Sequence, residues 1–208
     1  MNTFYQDLIT QKSWALLKKL KNQIDFVLIG GWAVYLYTKA LKSKDIDIIV
    51  DFSQLSSFKQ QYEIFKNDRL KKYEAKRNGV DIDIYLPYYS NLGLPVEEIL
   101  RHKSKIETFT VLKLEILLVT KQKAYMERKT SIKGQKDILD IISLLFLNDF
   151  DFDFYKDTLN KYRLMNYSGE LIKMLSETNE LSELGINKHF FSKKKKEILP
   201  KLYDDRRF

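Results

Sequence analysis

Two acids, Asp45 and Asp47, flank Ile46, and thirteen residues separate them from a glycine pair upstream, Gly30-Gly31. On an extended segment successive side chains alternate, so residues two apart share one face and sit about 7 Å apart along the strand. Two carboxylates placed in this way suit a hard divalent cation such as Mg²⁺ or Mn²⁺. Glycines at the mouth of a helix admit phosphate oxygens to backbone N–H groups at the positive end of the helix dipole. A cation site and a phosphate site within one short segment describe phosphoryl-transfer chemistry.

The elements that must position these groups follow from the pattern around them. Phe26-Val27-Leu28-Ile29 reads as a strand ended by the glycine pair. From Trp32 to Leu41 the residues Val34, Leu36, Tyr37 and Leu41 fall at roughly helical spacing. The chain then extends again to carry Asp45 and Asp47. A third carboxylate is offered by Gly79-Val80-Asp81-Ile82-Asp83-Ile84-Tyr85-Leu86-Pro87, where alternation puts both acids on the face opposite Val80, Ile82, Ile84 and Leu86. Asp83 is the favoured ligand, because it lies deeper in the strand, where a charge without a counterion is costly. Asp81, beside the Gly79 turn, also reads as a solvated strand start. Asn78-Gly79 between alternating runs signals a hairpin, and Leu55 to Asp68 reads as a helix. The prolines and glycine between residues 87 and 95 mark a boundary. Beyond Lys113 nearly everything reads as helix. The expected fold is α+β, with a mixed-sheet catalytic core over residues 1–95 and a helical region over 96–208 that closes a nucleotide cleft.

In combination, Gly30-Gly31 and Ser43-Lys44-Asp45-Ile46-Asp47 resemble the signature of the DNA polymerase β-like nucleotidyltransferases. A second constellation lies on a helix candidate from Leu112 to Met126 and just beyond it. Lys121, Ala124 and Arg128 are followed by Lys136-Asp137-Ile138-Leu139-Asp140, an arrangement similar to the AbiEii and MenT-type nucleotidyltransferase toxins. The resemblance covers roughly residues 26–147. It implies an NTP substrate, with Asp45, Asp47 and Asp83 holding Mg²⁺ or Mn²⁺, and with Gly30, Gly31 and Ser43 at the β- and γ-phosphates. It also implies that Lys121 neutralises phosphate charge while Asp137 faces the nucleotide. The acceptor it implies is RNA, tRNA in particular, and the setting a toxin with an antitoxin protein as partner.

Three other readings stand beside these. Lys121, Arg128, Asp137 and Asp140 could form an interhelical ion-pair set. Gly30-Gly31-Trp32-Ala33 also looks like the opening of lincosamide and aminoglycoside nucleotidyltransferases, which modify small molecules, although Leu41-Lys42-Ser43-Lys44 departs from what commonly precedes their acids. A nucleotide- or RNA-binding module that has lost catalysis would have no reason to tolerate three clustered acids that repel one another.

Composition narrows the class. With 208 residues and 44% hydrophobic content the chain can bury a substantial core. It has no cysteine, which removes disulfides and thiolate metal sites, and its two histidines, His102 and His189, are too far apart in sequence to suggest a zinc site. The longest near-continuous apolar run, Phe26 to Tyr37, has 12 residues, short of the roughly 20 that span a bilayer. Asp7 and the mixed polarity of the first twenty residues argue against a secretory signal, so a cytoplasmic protein is expected. The formal charge of +8 suits a polyanionic partner. Lys193 to Lys196, the densest basic run, reads as a solvated helix face or as an RNA contact. The tyrosines and phenylalanines read chiefly as core.

Overall fold

A computed structural model describes residues 3–178 and 181–203. The chain divides into two compact units, residues 1–113 and 114–208. In the first, α1 (Thr3–Lys21) leads into β1 (Val27–Ile29), α2 (Gly30–Thr38), β2 (Ile46–Ile49) and α3 (Phe52–Gln61). The strands β3 (Ile64–Asn67), β4 (Lys72–Arg77) and β5 (Val80–Tyr85) follow, then a short helix α4 (Val96–Ile99) and the strands β6 (Lys103–Ile106) and β7 (Phe109–Leu112). All seven strands form one mixed sheet in the order β3-β4-β5-β2-β1-β7-β6. The pairs β1·β7 and β2·β5 are parallel and the other four antiparallel.

Side-chain alternation sets the faces. In β5, Val80, Ile82 and Ile84 are buried while Asp81, Asp83 and Tyr85 point the other way. The hairpin before it turns on Asn78 (φ 53°) and Gly79 (φ 79°), the two positive-φ residues of a type I′ connection. At the sheet centre, Leu28 of β1 and Ile46 and Ile48 of β2 are fully buried on the face opposite Asp47. Strand β1 passes directly into α2, which ends with Lys39 in the left-handed region (φ 56°) and its N–H on the Tyr35 carbonyl.

Two stretches differ from the sequence expectation. The helix expected over Leu55–Asp68 stops at Gln61, because Tyr62 turns extended and stacks on Phe58 at 4.6 Å, and Ile64–Asn67 forms the edge strand β3 instead. The boundary expected at residue 95 falls later. Strands β6 and β7 join the sheet through Leu28 opposite Val111, so the sheet-bearing unit runs to Lys113.

The second unit consists of α5 (Leu114–Arg128), α6 (Ile132–Leu145), α7 (Phe152–Lys161), α8 (Met165–Glu177) and α9 (Lys188–Leu202). Three of these starts are capped by side chains, Ser131 on Gly134 N–H, Asp151 on Phe154 N–H and Asn187 on Phe190 N–H. Tyr155 and Gln122 are buried and paired: the Tyr155 hydroxyl donates to Gln122 Oε1 at 2.7 Å, and Gln122 Nε2 donates to the Tyr167 carbonyl at 2.9 Å. The architecture is therefore α+β, a mixed sheet with helices followed by a helical C-terminal half, as the sequence led us to expect. Among the described residues, no helix is long and apolar enough to cross a membrane.

Candidate active site

Register places the candidate carboxylates. Asp47 is directly opposite Asp83 on the parallel pair β2·β5. Asp83 is in turn opposite Glu74 on β4, and Asp47 is opposite Ile29 at the end of β1. Asp47, Asp83 and Glu74 therefore stand in one row across three neighbouring strands, and neighbouring strands lie about 4.7–4.9 Å apart. Like charges so placed repel and call for cations.

Asp45 is half-buried in the bend one residue ahead of β2, and not in the strand as expected; Ser43, two residues earlier, is buried. Asp81, the other acid of β5, is exposed and pairs with Lys76 at 3.2 Å, at the solvated hairpin end of the strand.

Gly30 brings the start of α2 against the acids. It is the first residue of α2, at φ 65°, and a Cβ there would meet the side chain of Asp47, whose Cγ would be only 2.6 Å away. Both the backbone angle and the space thus require glycine. Ile29, the residue that precedes this helix, makes no side-chain cap, and the first N–H groups of a helix have no acceptor within the helix itself.

Sequence reasoning missed two members of the row, Lys72 and Glu74. The Lys72 ammonium is 2.6 Å from Asp83 Oδ2 and 3.0 Å from Glu74 Oε1, and Asn67 Nδ2 donates to Glu74 Oε1 at 3.0 Å. A signal was present: a two-residue turn at Asn78-Gly79 pairs residues equidistant from it, which puts Glu74 opposite Asp83 and Lys72 two residues further along the same face. Burial lifts the Asp83 carboxyl above the ordinary aspartate range; Lys72 pulls it back, while Glu74 and Asp45 push it up. Burial acts to lower Lys72, but its hydrogen bonds and charge contacts with Asp83 and Glu74 outweigh this and hold it above the usual lysine value. The two directions are compatible, because the ammonium faces two carboxylates whereas Asp83 faces one ammonium and two further acids. Glu74 is held low, chiefly by its hydrogen bond from Lys72.

The all-oxygen donor set of Asp45, Asp47 and Asp83 suits Mg²⁺ or Mn²⁺, and the row of acids gives such an ion a place where charge is wanted. Among the described residues, however, no three such side chains are gathered tightly enough to form a ready cage; Lys72 holds Asp83 instead. A cavity of about 330 Å³ in the same unit is lined by Trp14, Trp32, Tyr35, Lys39, Lys42 and Glu107, among others, and by none of the candidate carboxylates.

In the helical unit, the Lys121 ammonium is buried between Asp140 Oδ2 at 2.7 Å and Asp137 Oδ1 at 3.3 Å. Arg128 forks onto Asp137 through Nε at 2.7 Å and Nη2 at 2.9 Å. Asp140 Oδ1 is buried with no hydrogen-bond partner among the described residues. The structure thus brings Lys121 and Asp137 together as members of a network that ties α5 to α6.

No protein-family model matches the chain, and no curated protein matches it. Among solved structures it is similar to the crystal structure of an antigenic nucleotidyltransferase-like protein from Paracoccidioides brasiliensis, with a TM-score of 0.41 and 19% identity over 87% of this chain and 98% of that one.

Proposed function

We propose that the chain transfers a nucleoside monophosphate from an NTP to a hydroxyl acceptor. The observation that carries this reading is the juxtaposition of Asp47 and Asp83, in register on parallel neighbours, with the start of α2 closing on Asp47 through Gly30. Asp45, Asp47 and Asp83 would hold Mg²⁺ or Mn²⁺, which supplies charge neutralisation at the α-phosphate and acidification of the acceptor hydroxyl. The N–H groups of Gly30 and Gly31 would receive oxygens of the β- and γ-phosphates, with the Ser43 hydroxyl as a further donor. No side chain need become covalently bonded. Positioning and charge stabilisation would account for most of the acceleration.

RNA, and tRNA ends in particular, is the acceptor we favour, since the formal charge of +8 suits a polyanion; a toxin paired with an antitoxin is the setting that the motif resemblance supports. A phosphate contact by Lys121 and a nucleotide contact by Asp137 would require their network to release them. Lys121→Met decides this when compared at equal folded fraction: lost transfer assigns the contact, and retained transfer removes it.

The test is incubation of the full chain with each labelled NTP, Mg²⁺ and total cellular RNA, with pyrophosphate release followed in parallel. Labelled tRNA, absent from Asp45→Asn and Asp47→Asn, is the expected result. Label on small molecules would move the acceptor to the antibiotic-modifying class. Absence of both transfer and pyrophosphate release with every NTP would refute the reading.

A further inference from the structure

We propose that Lys72 is the built-in cation of the carboxylate row, so that a divalent ion binds at Asp45, Asp47 and Asp83 in competition with its ammonium. The inference rests on the metal-dependent reading of the site given above, and it concerns how that site is kept closed to metal.

The row contains Asp47, Asp83 and Glu74 side by side on adjacent strands. An ammonium donated from within the sheet relieves their repulsion at Asp83 and Glu74, and Lys72 is placed to supply it. Its side chain is only 12% exposed and that of Asp83 23%, so water screens the pair less than it would a surface pair. The ammonium contacts both acids at hydrogen-bonding distance, 2.6 Å and 3.0 Å. By contrast, the Lys76–Asp81 pair at the hairpin end of the same two strands is open to solvent on both sides.

Glu74 makes the competition cheap to resolve. Its side chain is 39% exposed, and Asn67 fixes the same oxygen that Lys72 contacts. An incoming cation at Asp83 thus breaks one charge-assisted hydrogen bond while the ammonium keeps the other. Lys72 would move toward Glu74 and solvent, and Asp83 Oδ2 would become available as a ligand. Metal affinity would then be the difference between two cations' claims on Asp83, tuned by a residue that need never touch the nucleotide.

The experiment is a titration of the full chain with Mn²⁺ in the absence of NTP, free ion being read by electron paramagnetic resonance. Parent protein, Lys72→Met, Lys72→Gln and Lys72→Arg are compared, with Asp47→Asn as the control for the site. Removing a unit charge a few ångströms from a divalent ion should tighten Mn²⁺ binding by about tenfold or more in Lys72→Met and Lys72→Gln. Lys72→Arg should stay within about twofold of the parent, because it keeps the charge. The metal-free Lys72→Met protein should melt lower and gain more from Mn²⁺ than the parent. Gln retains a donor for Asp83, and so provides a folded uncharged variant should Met prove unstable. Binding that is unchanged or weaker in both uncharged variants, while the parent still binds Mn²⁺ in an Asp47-dependent way, overturns the role of Lys72 alone. If no variant and no parent binds Mn²⁺, the metal reading of the whole site falls and takes this inference with it.

Discussion

Asp81 and Asp83 share one face of β5 but not one environment, and substitution separates them. Asp83 sits in the row with Asp47, whereas Asp81 makes an exposed pair with Lys76 of a kind that contributes only about 0–1 kcal/mol. Asp83→Ala is expected to lose the Mg²⁺-induced rise in melting temperature, since a ligand that binds only the native state stabilises it by mass action. Asp81→Ala should keep that rise, and scanning fluorimetry with and without Mg²⁺ checks both. The reverse pattern would hand the role to Asp81. Gly30→Ala forces a Cβ into the left-handed region, at about 1–2 kcal/mol for the backbone alone, and pushes the Asp47 side chain out of the row. Chemical denaturation should show at least that loss, together with weaker Mg²⁺ protection. A Gly30→Ala protein as stable as the parent would mean that the observed angle is not required.

At the scale of elements, the α5–α6 junction offers the sharpest test. Lys121 is buried between two carboxylates, so Lys121→Met should cost about 3–5 kcal/mol by leaving them without its charge. Combining it with Asp140→Leu should restore part of the loss, which a double-mutant cycle by denaturant melts would measure; strictly additive losses would show that the pair is not coupled. Helical spacing made the network legible, because Lys121 and Arg128 fall on one side of α5 and Asp137 and Asp140 near one side of α6. The pairing inside it was not. Lys121 is closer to Asp140 than to Asp137, whose two oxygens are taken up by the Arg128 fork, and that choice depends on how the helices cross. Strands β1, β2, β4 and β5 were readable from apolar runs, alternation and the Asn78-Gly79 turn. Strands β3 and β6 were not, because each is a four-residue sheet edge. Phe65 and Lys66 of β3 are exposed, as are Lys103 and Lys105 of β6, so neither has a clean apolar face and only pairing with a neighbour makes it a strand.

For the whole molecule, bulk composition proved a weaker guide than topology. The four-lysine run at Lys193–Lys196 is partly committed within the helical unit: Lys195 donates to the carbonyls of Ser176 and Thr178 at the end of α8, and Lys194 to Asn148. Tertiary structure, not charge count, decides which lysines remain for a partner. The position of β1 has a consequence in time. Emerging from the ribosome, β1 can meet β2 almost at once, but its other neighbour is β7, with Leu28 waiting for Val111. At roughly 5–20 residues per second, that wait is on the order of several seconds, during which the apolar centre of the sheet has one open edge available to other nascent chains. A fragment ending at residue 95 would never close that edge and is expected to aggregate, which light scattering after refolding would report. A 1–95 fragment that stayed monomeric would show that β1 does not need β7 to be safe.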